Sequence, residues 1–385
     1  MGICLGKQQP LPLWLDLPAE LAGLILCRLL SPTDRLRFMA VCRQWRLAAK
    51  QQHPLPPALP WLRLNYDTFQ SLPDGQLRHY CTSLGFFSPV CISDGWLLCL
   101  RSSSGPDDEL FLTNPFSKAT IKLLVPDNCV SSLGGFLAMS RLHKMLVCPG
   151  DLVAAIFFGG YLCFYRPGAP SWQVCPHDLR GEWYEDIAFH HGKVYALTTK
   201  EDLFAFEAGD SEAAEVSRAS HVEHTIRAVH QLQPPAANLE KLLAKRYVVT
   251  SSAKLLMVEL IDHGVPFQRI LGPRIIEKIE VKVFEAELTT GQWVQVKKLD
   301  DGQALFVSRG CSKAIPLSGH DPGFQGNRVY YLGVDLLTFC SEIKPADTPN
   351  YFFYDMSAGT SSAVYLNRGG DTRDVYIEEW FFPST

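Results

Sequence analysis

Two textures of apolar patterning divide the chain. Between residues 14 and 50 apolar side chains recur at helical spacing, and from about Pro89 onward they fall into short runs separated by turn residues. In the first stretch Leu21, Leu24, Ile25 and Leu29 stand at i, i+3, i+4 and i+8, which predicts one apolar stripe along a helix. Leu17-Pro18 opens that helix, because proline is tolerated in the first turn, where its missing N–H has no intrahelical partner. Ser31-Pro32-Thr33-Asp34 predicts a second start: a serine N-cap, proline at N1 and a carboxylate at N3, where the helix dipole favours it. Leu36 and Met39 are expected to carry the second helix inward. Val41, Cys42 and Trp45, interleaved with Arg43 and Arg46, predict a third.

Residues 53–61, HPLPPALPW, place four prolines in seven residues from Pro54 to Pro60. Such density forbids helix and favours a stiff extended connector. Beyond it, PVCISDGWLLCL turns at Asp94-Gly95, and Asn114-Pro115 breaks the next run. DLVAAIFFGGYLCFY turns at Gly159-Gly160. DIAFHHGKVYALTTKEDLFAFE turns at His191-Gly192 and again near Lys200, and Thr290-Gly291 divides KVFEAELTTGQWVQVKKL. Units start near residues 89, 153, 186, 247, 304 and 326, a spacing of roughly 50 residues that suits propeller blades. Residues 208–245 read as an excursion from the sheets, with Asn238 to Lys245 as the nearest approach to a helix. The expected fold is therefore α plus all-β. A three-helix unit (13–52) and a proline-rich linker (53–61) precede a β-propeller of roughly six blades (62–385), preferred to a sandwich because radial repetition protects sheet edges.

Composition narrows the function classes. The chain has 385 residues, 47% apolar and 20% charged, with a net charge of −4. From residue 16 to 50 there are six basic and three acidic side chains, so the rest is acidic and offers no broad basic field for nucleic acid. Twelve cysteines contain no C-x-x-C, so neither a zinc site nor a dithiol motif is signalled. Reduced thiols, with no secretory apolar core and no Asn-x-Ser/Thr sequon, point to the cytoplasm or nucleus. The longest apolar run, 152–165, is split by glycines and too short to span a membrane. Met1-Gly2 is followed by Gly6 where a myristoylation signal expects serine or threonine, which leaves Cys4 as the residue open to acylation.

The ordered features Leu17-Pro18, Asp34 and Val41-Cys42-Arg43-Gln44-Trp45-Arg46 resemble an F-box. That resemblance implies docking to a Skp-type adaptor and, through it, to cullin and RING subunits of a ubiquitin ligase. The adaptor-binding residues it implies are Leu17, Pro18, Leu21, Ile25, Leu29, Asp34, Val41, Cys42 and Trp45. A unit of about 40 residues cannot bury that much apolar surface alone, so part of it should face another surface. A second resemblance lies in LDDGQALFVSRGCSKAIP (299–316), GNRVYYLG (326–333), NYFFYDMSAG (350–359) and WFFPS (380–384). RYVVTSSAKLLMVEL (246–260) and IFFGGYLCFYRPGAPSW (156–172) fit it as well. These look like the plant KIB-type family, in which an F-box precedes a propeller once catalogued only as a domain of unknown function. The resemblance implies a substrate-recognition subunit without an active site or cofactor. Two alternatives remain open: an F-box scaffold acting outside ubiquitination, and an enzyme or small-ligand receptor that uses the propeller's central channel.

Residue chemistry adds little to that. His221-x-x-His224 with His230, and Cys175-x-His177, lack the second half of a structural zinc site. Glu182, Glu185 and Asp186, the 107–109 set and Glu378-Glu379 read as solvated carboxylates, since acid–base work needs two in unlike environments. No G-x-S-x-G elbow or phosphate loop occurs. The 208–245 excursion and the 333–350 connection are the expected binding loops, and Trp172, Trp183-Tyr184 and Trp293 lie near strand ends where they could reach a binding face.

Overall fold

The structure is a computed structural model. It describes residues 14, 17–29, 31–52, 55, 58–64, 68–72, 75–79, 87–101, 109–124, 142–157, 159–175, 183–207, 223–227, 244–262, 279–300, 302–317, 323–332, 349–366 and 379–383. Three helices come first: α1 (Ala19–Arg28), α2 (Pro32–Val41) and α3 (Arg43–Gln51).

Among the described residues, everything regular after them is β except one 3-10 turn, Pro149–Asp151. β1 (Trp61–Arg63), β2 (Thr68–Ser71) and β3 (Leu77–His79) come before the first complete blade, β4 (Phe87–Ser93), β5 (Trp96–Arg101), β6 (Glu109–Thr113) and β7 (Thr120–Leu123). The second blade is β8 (Leu142–Val147), β9 (Val153–Phe157), β10 (Tyr161–Tyr165) and β11 (Gln173–Val174). The third is β12 (Tyr184–His190), β13 (Lys193–Thr198), β14 (Leu203–Glu207) and β15 (Glu223–Ile226). The fourth is β16 (Ala244–Ser251), β17 (Lys254–Asp262), β18 (Ile279–Glu287) and β19 (Gln292–Gln295). The fifth holds β20 (Gln303–Val307), β21 (Lys313–Pro316), β22 (Arg328–Tyr331), β23 (Tyr351–Asp355) and β24 (Thr360–Val364). Last comes β25 (Glu379–Phe381), which joins β1–β3 to make the closing blade.

Six sheets therefore form a β-propeller. Their end strands pack in a ring, β4 on β8, β8 on β12, β12 on β16, β16 on β21, and β25 on β4. Trp380 completes the circle by donating its backbone N–H to Ser308 Oγ at 3.2 Å and its indole N–H to Val307 O at 3.1 Å. Closure pairs the two ends of the sheet region: β1 lies antiparallel to β25, and the buried Arg63 guanidinium meets Glu379 at 2.8 Å. An edge strand that would otherwise template aggregation is thereby covered.

Unit starts read at 304 and 326 belong to one sheet, in which β20 runs parallel to β22 with β21 on its other side. The blade that sequence periodicity missed is the closing one. Its strands are three or four residues long and its partners lie at opposite ends of the chain, so no local pattern announces it. Trp61, placed at the end of the linker, opens β1, and Ala58, Leu59 and Pro60 before it are buried.

Local chemistry fixes the tight turns. Asp94-Gly95 and His191-Gly192 join β4 to β5 and β12 to β13 with φ of 30° and 86°, and of 45° and 79°. Both residues of a mirror-image hairpin turn need positive φ, which glycine gives without cost and aspartate tolerates. Packing then follows the blades. Leu98, Leu112, Met145 and Phe157 fill the space between the first and second, and Val249, Val258, Leu305 and Tyr331 that between the fourth and fifth. Trp61, Phe69, Phe306, Tyr330, Trp380 and Phe381 join the closing blade to its neighbours.

Candidate functional site

Besides the buried Arg63–Glu379 pair of the closing blade, two places among the described residues depart from the rule of apolar inside and charge outside. The first is the helical unit. Pro18 is the N-cap of α1, one position before the first turn, and its carbonyl accepts from Ala22 N at 3.0 Å. Glu20 in the first turn and Arg28 in the last both suit the helix dipole. At α2, Pro32 occupies the opening turn, but the Ser31 side chain makes no cap bond; its carbonyl receives Asp34 N and Arg35 N instead, each at 3.1 Å. Arg35, almost wholly buried, donates Nε to Leu29 O at 2.8 Å and ties the end of α1 to α2. Cys42 caps α3, its Sγ accepting from Trp45 N at 3.4 Å, and the Trp45 ring lies 4.4 Å from that of Phe38.

The core these contacts enclose is small: Ala22, Leu26, Phe38, Ala48 and Ala49, flanked by Leu17, Ile25, Leu29, Met39, Trp45 and Leu55. Alanines at 22, 48 and 49 let α1 and α3 approach closely, and a Cβ at Gly23 would collide with Gln52. The buried face of α1 is therefore Ala22, Gly23 and Leu26, and the leucine stripe is rotated outward. Leu21 is 49% exposed and Leu24 59%. Leu36, expected inside, is exposed as well, because Phe38 takes the inward position against Trp45. Val41, Leu47 and Trp14 complete a set of large apolar side chains in solvent.

Of the nine sequence-predicted docking residues, Pro18, Leu21 and Val41 are exposed, while Leu17, Ile25, Leu29, Asp34, Cys42 and Trp45 are half-buried. Asp34 forms an exposed pair with Arg37 at 3.0 Å. Leu24, Leu36, Leu47 and Trp14 join the outer surface without having been singled out for it. The signal that could have found them is the small-residue positions 22, 23, 48 and 49, which mark the close-packed side.

The second departure lies where the inner strands of the second, third and fourth blades begin. Lys144 meets Asp186 at 2.8 Å with both side chains buried. Arg246 contacts three carboxylates, Glu259 at 2.8 Å, Glu201 at 3.1 Å and Glu185 at 3.5 Å. Burial works against the charge of Arg246, but Glu185, Glu259 and Glu201 together outweigh it and hold its proton more tightly. Glu185 and Asp186 also accept the backbone N–H groups of Arg246 and Val248, at 3.0 and 2.8 Å. These two carboxylates, expected in solvent, are thus buried links between blades. The strand β12 starts with them, and its neighbours supply cations at matching height.

Other candidates separate on inspection. Trp172 is buried with its indole N–H on Leu124 O, Trp293 is half-buried on Glu201 O, and Tyr184 is buried; Trp183 alone of the four stands out, 53% exposed. Burial pushes the thiols of Cys91, Cys99, Cys148 and Cys175 up to about 12, which leaves them protonated and poor nucleophiles. Glu109 pairs with Lys122 at 2.8 Å and Glu379 with Arg63. Cys4, Asp107, Asp108, His177, Glu182, His221, His230 and Glu378 lie outside the described residues, as do 208–222, 228–243 and 333–348. Among the described residues no three His, Cys, Asp or Glu side chains gather as a metal site would require, and no helix is long and apolar enough to cross a membrane.

Comparison with known proteins accords with this division. The F-box-like family matches residues 14–53 and the KIB1-4 beta-propeller family matches residues 69–355. A relative in Arabidopsis thaliana whose name places it among F-box proteins is 21% identical over 92% of this chain and 90% of its own length. Solved structures overlap weakly. One from a study of two prolyl endopeptidases has a TM-score of 0.34 at 11% identity, over 83% of this chain and 40% of that one. YCF48 of Cyanidioschyzon merolae has a TM-score of 0.33 at 9% identity, over 61% of this chain and 68% of its own. With three F-box-type helices at residues 14–53 and six blades behind them, the chain has the layout of an F-box substrate-adaptor protein and belongs to the KIB1-4 beta-propeller family.

Proposed function

We propose that the protein is the substrate-recognition subunit of an SCF-type ubiquitin ligase. Its helices dock on a Skp-type adaptor, which connects it to cullin and RING subunits, and its propeller holds a target protein. The observation that carries this reading is the inverted helical unit, with Leu21, Leu24, Leu36, Val41 and Leu47 in solvent over a core of four small or medium side chains and one ring. Exposed leucines and valine on adjoining helices cost little only when another protein covers them. The chain contributes no chemistry in this account: it brings a target close to a ubiquitin-charged enzyme, so that catalysis is by proximity and orientation. Its work lies in the cytoplasm or nucleus.

Co-purification tests the assignment. The intact chain should recover adaptor together with cullin, and the chain lacking residues 1–53 should recover neither. Adaptor without cullin would favour the scaffold alternative, and no adaptor from the intact chain would remove the reading.

A further inference from the structure

At the starting ends of the inner strands the described cations and carboxylates are equal in number but unevenly shared, because three of the four carboxylates contact Arg246. Asp186 satisfies Lys144. Glu185 is shared: it lies 3.7 Å from Lys245 Nζ and also contacts Arg246, whose remaining carboxylates, Glu201 and Glu259, come from the 199–202 turn and β17. Arg309, in the turn between β20 and β21, crosses to the second blade and donates Nε to His143 O at 3.3 Å and Nη2 to Leu142 O at 3.1 Å. It is exposed, and among the described residues no carboxylate pairs with it. Among the described residues, partners take two of its five N–H donors, and the other edge of a guanidinium fits the paired oxygens of a carboxylate or phosphate.

His143 reports the resulting field. Its Nε2 sits 3.1 Å from Lys245 Nζ and so accepts from the ammonium. Burial, and then Lys245, Arg309 and Lys144, hold this imidazole well below 6.5, with only a bond to the Glu185 backbone acting the other way. The charged groups acting on it are thus three cations, of which Lys245 and Lys144 pair with Glu185 and Asp186. On the same end of the propeller Trp183 and Tyr161 are exposed at the starts of β12 and β10, an apolar anchor of the kind that dominates recognition energy.

We propose that Arg309, Lys245 and His143 form a receptor for an anionic group, a carboxylate or phosphate carried by the protein segment that the propeller captures. This rests on the target-capture reading for the identity of the ligand, and on geometry alone for the existence of the site.

The test follows the histidine ring signals of the full-length protein by NMR through pH titrations in chloride, in inorganic phosphate and in acetate at equal ionic strength. The His143 signal is assigned by its loss in His143→Gln. An anion seated among the three cations stabilises the imidazolium, so phosphate should raise the His143 titration toward the ordinary value, saturably, without moving His190 at the other end of β12. In Arg309→Gln the titration should rise in chloride, because one cation is gone, and phosphate affinity should fall about ten-fold or more, the loss of a charge-assisted hydrogen bond. A response to acetate as well as phosphate identifies an acidic side chain as sufficient, and a response to phosphate alone identifies a phosphorylated one. A His143 titration unmoved by either anion, or moved equally in a folded Arg309→Gln protein, overturns the site. If that variant does not fold, the wild-type titration decides by itself. Adaptor co-purification is scored separately, so its failure would remove the ligase reading and leave the anion result standing.

Discussion

The helical unit and the propeller solve the burial problem in opposite ways. Helices α1–α3 bury alanines and a few larger side chains and leave leucines outside, whereas the propeller buries Lys144, Asp186, Glu185 and Arg246 between blades already rich in apolar contacts. A five-residue core is too little to hold 40 residues firmly, while six blades that interlock and close on themselves are self-sufficient. The difference teaches where each region's specificity resides. In the helices large apolar side chains face outward, and in the propeller buried charges pair between neighbouring blades.

The largest expected effect breaks the propeller side of that contrast. Arg246→Ala leaves Glu185, Glu201 and Glu259 without their common cation, and removing one partner of a buried ion group costs about 3–5 kcal/mol. Thermal unfolding should show the loss in the sheet transition. A change of under about 1 kcal/mol would mean that these carboxylates are solvated or paired elsewhere.

A second test acts on the helices. Leu21→Asp with Leu24→Asp should leave unfolding nearly unchanged, since both side chains are already in water, yet weaken adaptor binding by ten-fold or more, given about 1.5–3 kcal/mol for burying a leucine. Ile25→Asp should differ, because Ile25 packs on the helical core, and it should lose folding and binding together.

Acid provides a third. The folded state holds His143 below its unfolded value of 6.5, so the unfolded chain binds the proton more readily. The stability this provides is complete above about pH 6.5 and is lost as pH falls from there through the folded-state titration. His190 is lowered too, by burial and then His191, and acts in the same direction. His143→Gln should reduce the slope by up to about 1.4 kcal/mol per pH unit in that window, measured by denaturant unfolding at a series of pH values. The smallest effect belongs to Asp34→Ala. Its pair with Arg37 is exposed, so stability should fall by only about 0.3–1 kcal/mol, mostly through the helix dipole.

The helical unit was legible because its signals are local: Pro18, Pro32 and Asp34 lie within one turn of the ends they mark. Which leucines face out was not, since that depends on Ala48 and Ala49 arriving from another helix. Hairpins at Asp94-Gly95 and His191-Gly192 were legible for the same local reason. The closing blade was not, because Arg63 and Glu379 meet across nearly the whole chain. Nor were the buried roles of Glu185 and Asp186, whose cations come from the strands on either side. The expected number of blades agrees with the structure although one predicted pair of units is a single sheet, which makes the agreement in number weaker than an agreement in strand assignment.

The most direct measurement of the central claim is the affinity of purified Skp-type adaptor for the full-length protein, compared with the Leu21→Asp, Leu24→Asp variant at matched thermal stability. Tight binding to the wild type and a ten-fold or greater loss in the variant is the predicted result. Equal affinity for both, or binding to neither, would contradict the assignment of the outward leucines to adaptor docking.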